Sequence, residues 1–222
     1  MSFHILLIEN NSLESQASLQ PCLTEEGYQV NKVHTPQEVA AGLQVDWPDA
    51  VVYFSFPGAP GLDTFRQPMD TIGLQLPWLV VDPDGAQPLP NDRLVTGLTT
   101  TDPEKIAKTL QTILKRQKQR FIRLPGLILD CRDHLLLRDG QPFSLTPKEF
   151  KLLHLLIQNA DQVTSRREIM RQVWDTDYLG DTRTLDVHIR WLRKKLEENP
   201  SRPRRLITVR GVGYHFVSHP DE

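Results

Sequence analysis

Residues 182–216, TRTLDVHIRWLRKKLEENPSRPRRLITVRGVGYHF, decide the fold of the C-terminal half of this chain. Nine basic residues (Arg183, Arg190, Arg193, Lys194, Lys195, Arg202, Arg204, Arg205, Arg210) stand against three acids (Asp186, Glu197, Glu198), a local net charge of +6 in a chain whose total is −2. At about 100° per residue, Leu185, Ile189, Leu192 and Leu196 fall on one stripe, which predicts a helix with that stripe against a core. The opposite side carries Arg183, Val187, Arg190, Trp191 and Lys194, flanked by His188 and Arg193. Such cations hold phosphates or guanine edges, and apolar groups among them suit thymine methyls. A solvated charged face is the plainer reading of a basic helix taken alone. The segment after it tips the balance. From Ile207 to Phe216, β-branched and aromatic residues flank Gly211 and Gly213, which predicts a hairpin with Arg210 near its tip. An arginine on a thin ribbon fits a minor groove.

Upstream, Thr146-Pro147-Lys148-Glu149 and Ser165-Arg166-Arg167-Glu168 both read as capping boxes, the first with Pro at the opening helical position. Phe150, Leu153, Leu156 and Ile157 give the first helix an apolar face, and Ile169, Val173 and Trp174 give the second one. The basic helix is the third. Leu127–Leu129, Leu135–Leu137 and Phe143–Leu145 are short apolar runs, the last two joined by a turn at Asp139-Gly140, as in a small antiparallel sheet.

The pieces Leu145 to Phe150, Ser165 to Glu168, Val173-Trp174, Gly180 to Arg190, Leu192 to Leu196 and Thr208 to Tyr214, in that order, resemble the winged-helix effector domain of the OmpR/PhoB family of bacterial response regulators. The resemblance covers Phe121 to Val217. It implies double-stranded DNA as partner, with Arg183, His188, Arg190 and Arg193 on phosphates or major-groove edges beside Val187 and Lys194. Trp174 and Thr208 would touch the backbone, Arg210 would enter the minor groove, and Tyr214 would brace the wing. It also implies direct-repeat half-sites, a homodimer at least on DNA, and contact of the Asp175–Gly180 loop with RNA polymerase. Many family members carry Arg where this chain has Trp191. Because Trp191 lies roughly 130° from the apolar stripe by helical geometry, it is expected outside the core, packed on sugars or thymine methyls and altering sequence preference.

The N-terminal half alternates strand-like and helix-like segments: Ile5–Ile8, Gln29–Val33, Ala50–Phe54, Leu79–Val81 and Leu94-Val95 as strands, with Ser12–Glu26, Gln37–Gln44 and Glu104–Lys115 among the helices. This pattern predicts an α/β, flavodoxin-like, doubly wound sheet, and it resembles a response-regulator receiver. Receivers hold Mg²⁺ with acids after the first strand and take a phosphoryl group on an Asp ending the third. The metal and a lysine offset the developing charge. Here the first-strand motif reads Glu9-Asn10-Asn11, Tyr53 or Phe54 falls at the acceptor position, Asp82 or Val81 stands where a hydroxyl is expected, and Gly97 takes roughly the lysine's place. The resemblance therefore implies a degenerate receiver without a phosphoacceptor or metal. Asp49, after Pro48, reads as a solvated turn carboxylate. Residues 82–92 are too proline-rich for a regular fourth helix, which puts the family's usual dimer face in doubt.

The expected organisation is a receiver-like domain over 1–115, a linker over 116–123 and a winged helix-turn-helix domain over 124–220. Charge divides the same way: residues 1–120 hold nine basic and fourteen acidic side chains, residues 121–222 seventeen and fourteen. Hydrophobic content of 39% is enough for one or two ordinary cores and excludes a disordered chain. Cys22 and Cys131 fall in different domains, so a disulfide is not expected and a reducing, cytoplasmic setting is. No apolar run approaches a membrane span. The histidines lack zinc spacing, and no nucleophile and base combine as in an enzyme. No cofactor is expected. The function read from these residues is a sequence-specific DNA-binding transcriptional regulator acting without aspartyl phosphorylation. The alternatives are a ligand- or protein-sensing module with secondary DNA binding, and a conventional phosphorelay regulator.

Overall fold

Strands buried on both faces need helices on both sides, and the N-terminal unit is built that way. A computed structural model describes residues 2–9, 18–55, 60–85, 89–177 and 183–220. The chain divides into two units, Met1–Phe121 and Ile122–Glu222. In the first, β1 (His4–Ile8), β2 (Gln29–Val33), β3 (Ala50–Phe54), β4 (Trp78–Val81) and β5 (Val95–Leu98) form a parallel sheet in the order β2-β1-β3-β4-β5. Ile5 and Leu7 of β1, Val52 of β3 and Leu79 of β4 pack with α1 (Leu19–Glu25) and α4 (Pro103–Lys115) on one face. By strand alternation Leu6, Ile8, Val51 and Tyr53 face the other way. On that side Tyr53 meets Phe65 of α3 (Leu62–Thr71), ring centres 5.6 Å apart. The second helix, α2 (Pro36–Leu43), starts behind Thr35, whose hydroxyl accepts the Glu38 N–H.

Three expectations are corrected here. The first helix begins at Leu19 behind the N-cap Ser18, not at Ser12; residues 12–17 lie outside the described residues. Gly97 sits inside β5 opposite Val80 rather than after the strand, and a Cβ there would meet the Leu89 side chain at 2.2 Å. Asp49 is buried, not solvated: its carboxylate accepts the His4 N–H at 2.8 Å, which fixes the entry of β1. Among the described residues no helix joins β4 to β5, and none is long and apolar enough to cross a membrane.

The second unit, entered within β6 (Phe121–Leu124), opens with a four-stranded sheet of β6, β7 (Leu127–Asp130), β8 (Leu135–Arg138) and β9 (Gln141–Ser144) in sequential order. Asp139 and Gly140, both at positive φ (48° and 78°), make the two-residue turn between β8 and β9, as the twist of a tight hairpin requires. Helices α5 (Pro147–Gln158), α6 (Arg166–Trp174) and α7 (Arg183–Leu196) follow. A second sheet, β10-β12-β11, joins β10 (Val163–Ser165) to the hairpin of β11 (Leu206–Val209) and β12 (Gly213–Phe216). One core unites Leu152, Leu153 and Leu156 of α5, Ile169 and Val173 of α6, the four-residue stripe of α7, and Leu206, Tyr214 and Phe216. This is an α/β receiver-like unit followed by a winged helix. The strands β6 and β10, four and three residues long, were not foreseen from the sequence.

The capping box at α5 is complete and has a second use. Glu149 accepts the Thr146 N–H at 2.8 Å and also takes the Lys195 ammonium of α7 at 2.8 Å. Burial pushes the Glu149 carboxyl up, but the hydrogen bonds from Lys195 and Thr146 outweigh it and hold it below the ordinary range. At α6 the Ser165 hydroxyl accepts the Glu168 N–H at 3.1 Å, while the Glu168 carboxylate accepts from Gln172.

Candidate nucleic-acid interface

With Leu185, Ile189, Leu192 and Leu196 all buried, α7 can turn only one face outward. That face shows Arg183, Val187, Arg190, Trp191 and Lys194, all exposed, with His188 half-buried beside them. Among the described residues no acidic side chain pairs with Arg190, Lys194 or Arg210. Their charge is therefore available to a polyanion.

The wing is positioned from α7. Arg193 is not spread on the surface: Nε and Nη2 donate to Leu206 O at 3.0 and 2.8 Å, and Nη2 also donates to Thr208 Oγ1 at 2.7 Å. These bonds tie the helix to β11 and engage the Arg193 guanidinium mainly on the Leu206 carbonyl, with one bond to Thr208. Tyr214 is only 2% exposed, so its ring is turned into the core of the C-terminal unit. Its hydroxyl donates to Asp186 Oδ1 at 2.5 Å and accepts from Arg166 Nη1 at 2.9 Å, while Arg166 pairs with Asp186 at 2.6 Å. Burial, then the Asp186 hydrogen bond, raises its pKa well above the ordinary phenol range, so the hydroxyl stays a donor. This three-residue joint links α6, α7 and β12.

At the hairpin tip, Val212 N–H donates to Val209 O at 3.1 Å and Gly211 takes φ 75°, leaving Arg210 and Val212 exposed. Behind the tip Gly213 passes so close to β10 that a Cβ on it would stand 2.0 Å from Thr164 O. The base of the wing is fixed by Glu197, just after α7, whose carboxylate accepts the N–H groups of Arg204, Arg205 and Leu206. Arg138 Nη1 donates to the Lys195 and Glu197 carbonyls at 3.3 and 2.8 Å, a cation on the C-terminal end of α7. In the sequence Glu197 is one acid of a basic segment; its pairing with the next strand carries no local signal.

Trp174, at the end of α6, reaches the same surface. His188 lies between two indoles, 5.1 Å from Trp174 and 4.9 Å from Trp191. Of the Asp175–Gly180 loop, Asp175 holds a left-handed cap at φ 56° and Asp177 pairs with Arg167 at 3.5 Å; residues 178–180 lie outside the described residues.

At the C-terminal rim of the parallel sheet, Glu9 follows β1 and is buried. It pairs with the Lys32 ammonium at 2.8 Å, is hydrogen-bonded by Ser18, and accepts the Leu19 N–H at 3.3 Å. Tyr53 and Phe54 end β3, both buried, and the Tyr53 hydroxyl donates to Pro60 O at 3.0 Å. Burial and then nearby Asp82 raise its pKa. Asn10 and Asn11 lie outside the described residues. Among those described, no group of acidic, His or Cys side chains is arranged to hold a metal ion.

A parallel receiver-like sheet followed by three helices, a basic outward helix face and a hairpin wing is the build of a DNA-binding response regulator. The profile described as "Transcriptional regulatory protein, C terminal" matches residues 140–216. The alkaline phosphatase synthesis transcriptional regulatory protein SphR of Synechococcus elongatus is 35% identical over 192 residues, covering 79% of this chain and 73% of SphR. A probable transcriptional regulatory protein of Picosynechococcus sp. is 35% identical over 220 residues, covering 87% of this chain and 85% of its own. Among solved structures, the RstA DNA-binding domain of Klebsiella pneumoniae in complex with RstA box matches 46% of this chain and 100% of that one, at 32% identity and a TM-score of 0.43. The chain belongs to the OmpR/PhoB family of bacterial response regulators: it is a DNA-binding transcriptional regulator, not an enzyme.

Proposed function

We propose that this regulator binds specific DNA without being switched by aspartyl phosphorylation. The observation that carries the proposal is the rim of the parallel sheet. An acyl phosphate needs a carboxylate nucleophile, and β3 ends instead in buried Tyr53 and Phe54. Glu9 already has a counter-ion in Lys32, so its charge is matched without a metal, and Asn10 and Asn11 offer amides where divalent cations favour carboxylates. Incubation with acetyl phosphate and Mg²⁺ is expected to leave the mass of the intact protein and its DNA affinity unchanged. One acid-labile phosphate per chain would refute this.

On DNA, α7 lies in the major groove. Arg183, His188, Arg190 and Lys194 contact phosphates and base edges, with Val187 and Trp191 between them. Arg210 enters the flanking minor groove, and Trp174 and Thr208 approach the backbone. Arg193 and Tyr214 act by holding the wing in place. Arg190→Ala is expected to weaken specific binding by about 1–3 kcal/mol, and Arg210→Ala to weaken binding more evenly across sequences. Fluorescence anisotropy at fixed salt measures both. Wild-type affinity in both variants would remove these residues from the interface.

The working protein is a cytoplasmic homodimer on direct-repeat half-sites about one helical turn apart, so that two α7 helices meet the same face of the duplex. The Asp175–Gly180 loop is its contact with RNA polymerase. Residues 1–115 and 124–220 act as the two domains, joined through 116–123, of which 121–123 belong to strand β6.

A further inference from the structure

The outward face of α7 carries two apolar side chains among its cations, Val187 at 42% and Trp191 at 44% exposure. Four residues apart, they are neighbours on one helix face. Trp191 is held rather than loose. His188 Nδ1 donates to Thr184 O at 2.8 Å, which fixes the imidazole. That ring meets Trp174 nearly edge-on, at 79°, and Trp191 at 60°. Trp174 in turn packs against the core, with the Lys148 ammonium 5.8 Å from its ring centre. Three rings thus run in a row from the core to the helix surface. They set the indole among Arg183, Arg190 and Lys194.

Of the groups that base pairs show in the major groove, only the thymine C5-methyl is apolar; the rest are hydrogen-bond donors and acceptors. An indole has one N–H and no acceptor, so it reads donors and acceptors poorly and methyl groups well. Resting on the DNA-binding reading above, we propose that Trp191 and Val187 select thymine by its methyl group, and that the Trp174–His188 pair positions Trp191 to do so. The competing arrangement, the indole packed on deoxyribose, would grip every sequence alike.

Deoxyuridine, which lacks only that methyl, provides the test. Duplexes of about 30 base pairs, of the length two half-sites require, are selected from a random pool with the full-length chain. They are then remade with single thymidines replaced by deoxyuridine. The wild type is expected to lose about three- to fivefold in affinity at one or two positions, the factor that corresponds to about 0.8 kcal/mol for one buried carbon group. Trp191→Ala should bind the thymine duplex more weakly and be indifferent to deoxyuridine at the position it covered. Trp191→Phe should keep part of the discrimination, and His188→Ala should shrink the thymine-to-uracil ratio at that same position. A thermal melt of each variant confirms folding. Equal deoxyuridine penalties in wild type and Trp191→Ala, or none in either, would overturn methyl recognition and leave DNA binding standing. Failure of the wild type to enrich any duplex would instead overturn the DNA-binding reading beneath it.

Discussion

Gly213→Ala is expected to destabilise the C-terminal unit by about 3–5 kcal/mol, more than an ordinary surface or core substitution, and to lower its melting temperature by on the order of 20 °C. The cause is steric and local. Gly213 opens β12 and pairs with both Val209 and Ser165. A Cβ there would stand 2.0 Å from Thr164 O and 2.9 Å from Ser165 Cα. These are backbone atoms of β10, so no rotamer change relieves the overlap. The sheet must open, and it carries the wing on one side and the start of α6 on the other. Gly211→Ala is the control. Its φ of 75° is strained for alanine, but nothing lies within 4 Å of the added Cβ, so the cost is the left-handed conformation alone, about 1–2 kcal/mol. Calorimetry of the two variants decides the matter. Losses of similar size would show that β10 does not constrain Gly213.

The contrast between these glycines shows how far the sequence can be read. Both stood out as hairpin residues, because a β-rich run broken by Gly-x-Gly has few other meanings. Which of them is indispensable depends on β10, a three-residue strand with no periodicity of its own. The elements found from the chain were those with local signals: the caps at Thr146 and Ser165, the apolar stripe of α7, and the buried runs at Ile5 and Ala50. The features missed depend on partners far along the chain. Arg193 resembled any cation of the basic helix until Leu206 and Thr208 were placed 13 and 15 residues away. Tyr214 could be assigned to the wing but not to its joint with Asp186 and Arg166. At the sheet rim, the sequence disclosed that Tyr53 and Phe54 are not acids. It did not disclose that Lys32, from the neighbouring strand, reaches Glu9. Position 191 was legible because helical phase alone excludes its ring from the core, whereas its support by His188 and Trp174 required the fold.

Glu197→Ala is expected to cost about 3–4 kcal/mol, because it removes one acceptor group from two buried donors and one part-buried donor at once. The side chain is 6% exposed, and its two oxygens accept Arg204 N–H at 3.0 Å, Arg205 N–H at 3.1 Å and Leu206 N–H at 2.7 Å. Each buried donor left unsatisfied costs about 1–3 kcal/mol, less whatever water entering the gap recovers. Glu197→Gln, which keeps one oxygen but turns an amide N–H₂ toward the same donors, should lose roughly half as much. The consequence extends to DNA. Leu206 is held by its N–H to Glu197 and by its carbonyl to Arg193. The carboxylate therefore fixes where β11 leaves α7, and with it the distance between the α7 cations and Arg210 at the wing tip. At temperatures where the variant is still folded, Glu197→Ala should weaken DNA binding even though residue 197 is too buried to touch a ligand. Adding Arg210→Ala to it should then cost less affinity than Arg210→Ala costs alone, since a misplaced wing has less to lose. Urea titration and a double-mutant cycle in DNA affinity measure the two effects. A stability loss below about 1 kcal/mol, or full additivity with Arg210→Ala, would mean that the wing is positioned by its sheet and not by this carboxylate.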